Sequence, residues 1–196
     1  GERYGLVLIN SLIFFIPHFI FGLNTSEYFV TLSTILFGYL SVIILYLFTK
    51  ELFNNNFIAI TSSLLLSFNP LFLSVSTFAK DHTHAVFFIL LAGFALIKAL
   101  KTDSVFYKIL FGLSSGFLIL VRISDIISII PFLFIYLFPE KFLIKDELKL
   151  KDRYNIRNIT LLLGPFMLIS VPFLFIRLES ITSLYVANQF LQTKSL

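Results

Sequence analysis

The chain has 196 residues, a net charge of +4, no cysteine, 13% charged and 58% hydrophobic residues, and a mean hydropathy of +0.94. A soluble domain carries about 25% charged residues, so this composition excludes a surface that faces only water. The lack of cysteine excludes disulfides and thiolate chemistry, and positive charge spread thinly over loops excludes a dense basic tract for nucleic acid.

In lipid every backbone polar group must be satisfied within the chain, and nothing here alternates with the period of a barrel strand. The expected fold is therefore all-α, a multi-pass transmembrane bundle of about six spans, each of about 20 residues. The chain does not open with Met and shows no basic head, short apolar core and small-residue cleavage site, so it reads as part of a longer protein.

The first apolar run, 5–22, contains Asn10, Pro17 and His18 and is read as an interfacial or membrane helix, with His18 at the interface. Residues 28–49 form the cleanest span. The run 57–78 is interrupted at Asn69-Pro70, which should end or kink its helix because proline removes a donor and clashes with the preceding turn. Residues 84–100 make the next span.

The run 109–138 would be about 45 Å long as one helix, well beyond a hydrocarbon core of about 30 Å. Arg122 and Asp125 lie near its middle, so two short spans, 109–121 and 124–138, joined by a turn, are the other reading. The positive-inside rule decides between them. With a hairpin, Lys50, then Lys98, Lys101 and Lys108, then Lys141, Lys145, Lys149, Lys151, Arg153 and Arg157 all fall inside, ten of the fifteen basic residues. A single helix would move the last six outside. The hairpin is therefore expected, and its Gly112 and Gly116, a GxxxG pair, should let a neighbouring helix approach closely.

Residues 139–157 mix acids and bases and read as a cytoplasmic loop; 158–176 form the last span, made irregular by Gly164, Pro165 and Pro172; 177–196 read as an outer loop or surface helix. Asn24-Thr25-Ser26 is a glycosylation tripeptide on the outer side, and Asn158-Ile159-Thr160 is one on the inner side.

This topology puts Lys80, Asp81, His82, His84, Arg122, Asp125 and Arg177 at one face, on three connections. Ionisable residues at membrane depth are costly and mark pathways or sites. Two readings stand for Asp81: it caps the N-terminus of the following helix, or it binds a divalent metal ion or a phosphate, with His84 three residues on as the second metal ligand. His82-x-His84 could also hold a cation if that stretch is an extended loop. Arg122 either pairs with Asp125 across one turn or presents its planar fork to an anionic group.

The stretch from Phe21 to Leu96 resembles the N-terminal membrane region of GT-C-type glycosyltransferases, the protein O-mannosyltransferase-like and aminoarabinose-transferase-like branches above all. The resemblance rests on "LFG", a span ending in "TKELF", then "NPLFLSVSTFAKD" and the aromatic-led "AVFFILLAGFAL". The later "GLSSGFLILVRISDIISIIPFLFIYLF" is similar to the family's glycine-containing hairpin with a basic residue at its turn, so the likeness covers roughly residues 1 to 176.

What the resemblance implies is a multi-pass enzyme that takes a sugar from a polyprenyl-phosphate donor at the outer or lumenal face. One acid in the first outer loop would serve as catalytic base or metal ligand. Here Glu2 is the acid available for that role, but it lacks the family's context, which puts the catalytic acid upstream. A second acid before the "FFILL" helix corresponds to Asp81. Lys80, Arg122 and Asp125 would complete the substrate contacts, with a divalent ion at Asp81 and His84. The expected partners are the lipid-linked donor, membrane lipids and an acceptor of unspecified class, in a prokaryotic cell membrane rather than the endoplasmic reticulum. The rival reading is a transporter or ion pathway lined by the same Asp, His and Arg residues, which would call for ionisable groups at mid-membrane and often for repeat symmetry.

Overall fold

The computed structural model describes residues 27–77, 81–141, 143 and 155–193, with only the backbone for 27–30, 123, 141 and 176–193. The expected helix over 5–22, the first glycosylation tripeptide, Glu2, Lys80 and most of the 139–157 loop lie outside the described residues. All regular structure among the described residues is helical.

Helix α1 runs Glu27–Phe53. Two of its buried hydroxyls are satisfied within the helix: Ser41 Oγ donates to the Phe37 carbonyl (2.7 Å) and Thr49 Oγ1 to that of Leu45 (2.7 Å). Two adjacent asparagines then do opposite jobs. Asn54 takes a left-handed conformation (φ 49°) that stops α1, as Asn tolerates better than most residues. Asn55 starts helix α2, Asn56–Ser67, its Oδ1 accepting from the backbone N–H of Phe57 (2.8 Å) and Ile58 (3.3 Å).

The expected break at Asn69-Pro70 is present. Asn69 Oδ1 caps helix α3, Pro70–Thr77, through Leu71 and Phe72 (2.9 and 3.1 Å), and α2 and α3 are bent by 59°. Pro70 sits at the first helical position, where its missing N–H costs nothing. Both helices leave large apolar side chains exposed, Phe57 of α2 at 77% and Leu71 of α3 at 73%, as suits a face turned to lipid.

Helix α4, His82–Thr102, is the centre of the bundle. Ala85, Ala92, Gly93, Ala95 and Ala99 keep its surface low, so α1 and helix α5, Val105–Val121, both pack close. A Cβ on Gly93 would lie 3.0 Å from Phe132 and 3.1 Å from Phe48, so aromatic rings from two other helices meet at this one gap.

Helix α5 ends at Arg122, whose extended backbone (φ −150°) breaks it. The chain continues as a 3-10 segment, Ile123–Ile129, and helix α6, Ile130–Leu137. It folds back along α4 and α5, since Phe132 meets Phe111 edge-on with ring centroids 6.5 Å apart. The run 109–138 is thus broken at Arg122 and is not one straight helix.

Helix α7, Ile156–Thr193, continues through Pro165 and Pro172. The segment 177–193 therefore extends this helix where an outer loop was expected after 176, while the surface-helix alternative agrees with helical backbone. Proline removes one intrahelical bond and can kink a helix without ending it; an apolar environment penalises opening the remaining bonds.

The GxxxG expectation acquires a partner in α7. A Cβ on Gly112 would collide with the Leu162 carbonyl oxygen and lie 3.1 Å from Pro165 Cβ, and one on Gly116 would lie 2.9 Å from Ile169 Cβ. Backbone meets backbone along this seam.

Among the described residues, three helical stretches are long and apolar enough to cross a membrane, Thr31–Phe53, His82–Thr102 and Ile156–Phe175, or four if the bent pair α2 and α3 counts as one span. The two limbs of the hairpin are shorter apolar helices.

Candidate functional site

The ionisable side chains of the described residues collect at the two ends of the bundle. α4 separates those ends by about 30 Å, the rise of its 21 residues.

One end is basic and heavily paired. Lys98 Nζ lies 2.8 Å from Glu51 Oε2, and Lys101 Nζ donates to the Glu51 carbonyl at 2.6 Å, tying α4 to α1. Lys108 is fully buried between Asp103 and Asn158 Oδ1, the latter at 2.8 Å, joining α5 to the α4–α5 turn and to α7. A buried ammonium needs such partners, because desolvation without them costs far more than any packing gain.

The other end holds the residues singled out in the sequence. Arg122 Nη1 contacts His82 Nδ1, across forty positions of sequence. Its Nε lies 3.6 Å from Asp125 Oδ2, so the expected pairing across one turn is present. Ser124 Oγ donates to Asp125 Oδ1 at 3.2 Å, and the Arg122 and Asp125 side chains keep about a quarter of their surface (28% and 21%) in the open. These two contacts engage two nitrogens of the guanidinium fork, which carries five N–H donors in all.

Beneath them, Phe37, Ala85, Phe88, Leu118, Ile119, Val121, Ile129 and Phe173 form a buried cluster, with Phe88 stacked on Phe117 (5.5 Å). The charged end thus rests on a packed floor and not on a loop.

Asp81 stands at the N-cap position of α4 with helical backbone angles, and its side chain makes no capping hydrogen bond. The carboxylate keeps the favourable position at the positive end of the helix dipole. His84 is elsewhere. Its ring is fully buried, stacks obliquely on Phe37 (4.3 Å) and holds Ser33 Oγ through Nε2 at 2.9 Å.

The two histidines separate for a simple reason. α4 begins at His82, so residues two apart diverge by about 200°, and the extended loop on which both could ligate a cation is not formed. Among the described residues no group of three or more His, Cys, Asp or Glu side chains is gathered. With His84 committed to Ser33, these residues do not by themselves make a divalent-cation site. Lys80 lies outside the described residues, as does the side chain of Arg177.

His82 is the residue that sequence reasoning undervalued. Its signal was present in the shared sidedness with Arg122, which the structure turns into a contact.

Beside this charged end, between α3 and the first turn of α4, lies a cleft of about 400 Å³. Its walls are Leu71, Phe72, Val75 and Val86, and its polar edge is Asn69, His82 and Thr83. Thr83 Oγ1 donates to the Val75 carbonyl (3.3 Å), which pins α3 against α4 and keeps the two walls together. An apolar trough whose rim carries the histidine that touches Arg122 can take a molecule with a hydrocarbon part and an anionic part.

A family model described as dolichyl-phosphate-mannose-protein mannosyltransferase matches residues 8–177. No curated protein and no solved structure gives a significant match. The family match runs across both ends of the bundle and most of the chain, and with the long apolar helices it identifies an integral membrane protein that belongs to the dolichyl-phosphate-mannose-protein mannosyltransferase family.

Proposed function

We propose that this protein is a GT-C-type glycosyltransferase that moves a sugar from a polyprenyl-phosphate donor to an acceptor at the outer face of a prokaryotic cell membrane. The observation that carries this reading is the junction of the apolar cleft with the Arg122–His82–Asp125 cluster. The prenyl chain would lie in the cleft and the phosphate at the guanidinium. In the reaction a carboxylate takes the proton of the acceptor group, the acceptor atom bonds to the anomeric carbon, and the carbon–oxygen bond to phosphate breaks. The polyprenyl phosphate leaves with the electron pair. Arg122 meets the charge that grows on its oxygens, where a preorganised donor at a site shielded from water acts most strongly. Asp81, which precedes the cleft residue His82 in the chain, is assigned to the substrate. Lys80 and the catalytic acid, for which Glu2 is the candidate within this chain, would complete the site.

In this reading the hairpin limbs also cross the membrane, which brings the count to about six spans. α5 has 17 residues and a length of about 26 Å. The return limb has seven residues of 3-10 helix and eight of α-helix, again about 26 Å, because the 3-10 rise is about 2.0 Å. The ionisable side chains of the described residues sit at the ends of the helices, which favours a reaction at a surface over a route through the bundle.

Asp81→Asn is expected to lower transfer from a polyprenyl-phosphate sugar in proteoliposomes by at least about ten-fold, a general acid–base or substrate contact being worth that much or more. Unchanged turnover would remove Asp81 from the site. The chain has no cysteine, so Ser124→Cys gives a single thiol on an exposed position next to Arg122. An impermeant maleimide added outside the cell should label it; labelling only after permeabilisation would overturn the outward orientation.

A further inference from the structure

A guanidinium can only donate hydrogen bonds, so the contact of Arg122 Nη1 with His82 Nδ1 makes that nitrogen the acceptor. The proton of the neutral ring is then on Nε2. His82 is exposed and forms part of the polar edge of the cleft, so this N–H is a donor at the mouth of an apolar trough. The positive charge held against Nδ1 polarises the ring and strengthens Nε2–H as a donor to an anion.

We infer that His82 is a phosphate-binding residue with two tasks: Nδ1 fixes the orientation of the Arg122 fork, and Nε2–H donates to a phosphate oxygen of a lipid seated in the cleft. This rests on the polyprenyl-phosphate reading above and adds a ligand to it. The geometry explains why a histidine is useful here. A planar ring can accept from Arg122 on one side and donate on the other, which links the guanidinium of the hairpin turn to the first turn of α4. Asp125 holds the fork through Nε, so the guanidinium is braced from both sides and needs little reordering when the anion arrives.

The two tasks can be separated by substitution. Asn has an acceptor where His has Nδ1 and no group where His has Nε2, so His82→Asn keeps the brace and loses the donor. His82→Ala loses both. Because His82 is exposed, neither change removes packing from the buried clusters. Binding of a long-chain polyprenyl monophosphate to the purified protein in nanodiscs, read by native mass spectrometry, should weaken by about five-fold for His82→Asn, the value of one hydrogen bond. For His82→Ala it should weaken by about thirty-fold or more, as the orientation of Arg122 is lost as well. Polyprenol, which has no phosphate, should bind all three proteins alike.

Equal binding of the monophosphate by wild type and His82→Ala overturns the inference. So does His82→Asn matching either wild type or His82→Ala, since one of the two tasks would then be missing. If wild type itself does not prefer the monophosphate to polyprenol, the polyprenyl-phosphate reading fails, a result distinct from the failure of His82 alone. Inorganic phosphate at the same concentration should not compete; if it does, the ligand is a soluble anion and the lipid assignment is overturned.

Discussion

Arg122→Ala is expected to lower the rate of sugar transfer by about 10²–10³-fold, the usual consequence of removing one preorganised donor from developing negative charge. Its effect should exceed that of Asp125→Ala, because Asp125 acts on substrate only by holding the guanidinium at 3.6 Å. Arg122→Lys should recover part of the loss and not all of it. An ammonium restores the charge, but it lacks the planar fork that can meet His82, Asp125 and a phosphate at once. The thermal midpoint of the protein in detergent should change little in all three variants, since Arg122 is partly exposed and lies above the packed floor, outside it. Transfer by Arg122→Ala at the wild-type rate would remove the guanidinium from the chemistry and with it the proposed donor site.

The second large effect is expected at Gly112, on stability. Gly112→Ala should destabilise the protein by about 1–3 kcal/mol, because the added carbon meets a backbone oxygen, Leu162 O, that cannot rotate away. The helices must separate along the whole seam. Gly116→Ala meets Ile169 Cβ at 2.9 Å, which no rotamer change moves, but the approach is less close than at Gly112 and should cost less. Gly164→Ala supplies the control: its Cβ would find only Thr160 Cγ2, at 3.8 Å, so it should be neutral or slightly stabilising by up to about 1 kcal/mol. Thermal denaturation of the three variants in one detergent checks the order. Equal midpoints for Gly112→Ala and Gly164→Ala would show that the α5–α7 contact is not close.

Much of this architecture could be read from the sequence because lipid leaves few choices. Charge-free runs must be helices, and charges must lie where runs end. That logic found α1 and α4, the break at Asn69-Pro70, and the break at Arg122, where one basic residue and one acid interrupt thirty apolar positions. It also put Arg122 and His82 on the same face before any contact between them was known. It went astray where a single local detail decides. α4 starts at His82 and not after it, so His82-x-His84 splits into one outward and one inward ring. The prolines of α7 announced an irregular span, and the helix carries both of them and runs on to Thr193. Small residues at Gly112 and Gly116 announced a close neighbour but could not name it, since a small-residue seam records distance and not identity. The adjacent asparagines at 54 and 55, which end one helix and open the next, were legible signals that a reading of charge alone passes over.

The two ends of the bundle are held in different ways. At the Lys108 end, contacts through Glu51, Lys98, Lys101, Asp103 and Asn158 cross-link α1, α4, α5 and α7. At the His82 end, α3 is seated on α4 through the Thr83 hydroxyl and on α1 through buried Ser76, which a Cβ on Gly38 would meet at 3.1 Å. Four helices are thus tied by charge at one end, whereas at the other α3 is seated through a hydroxyl and small residues.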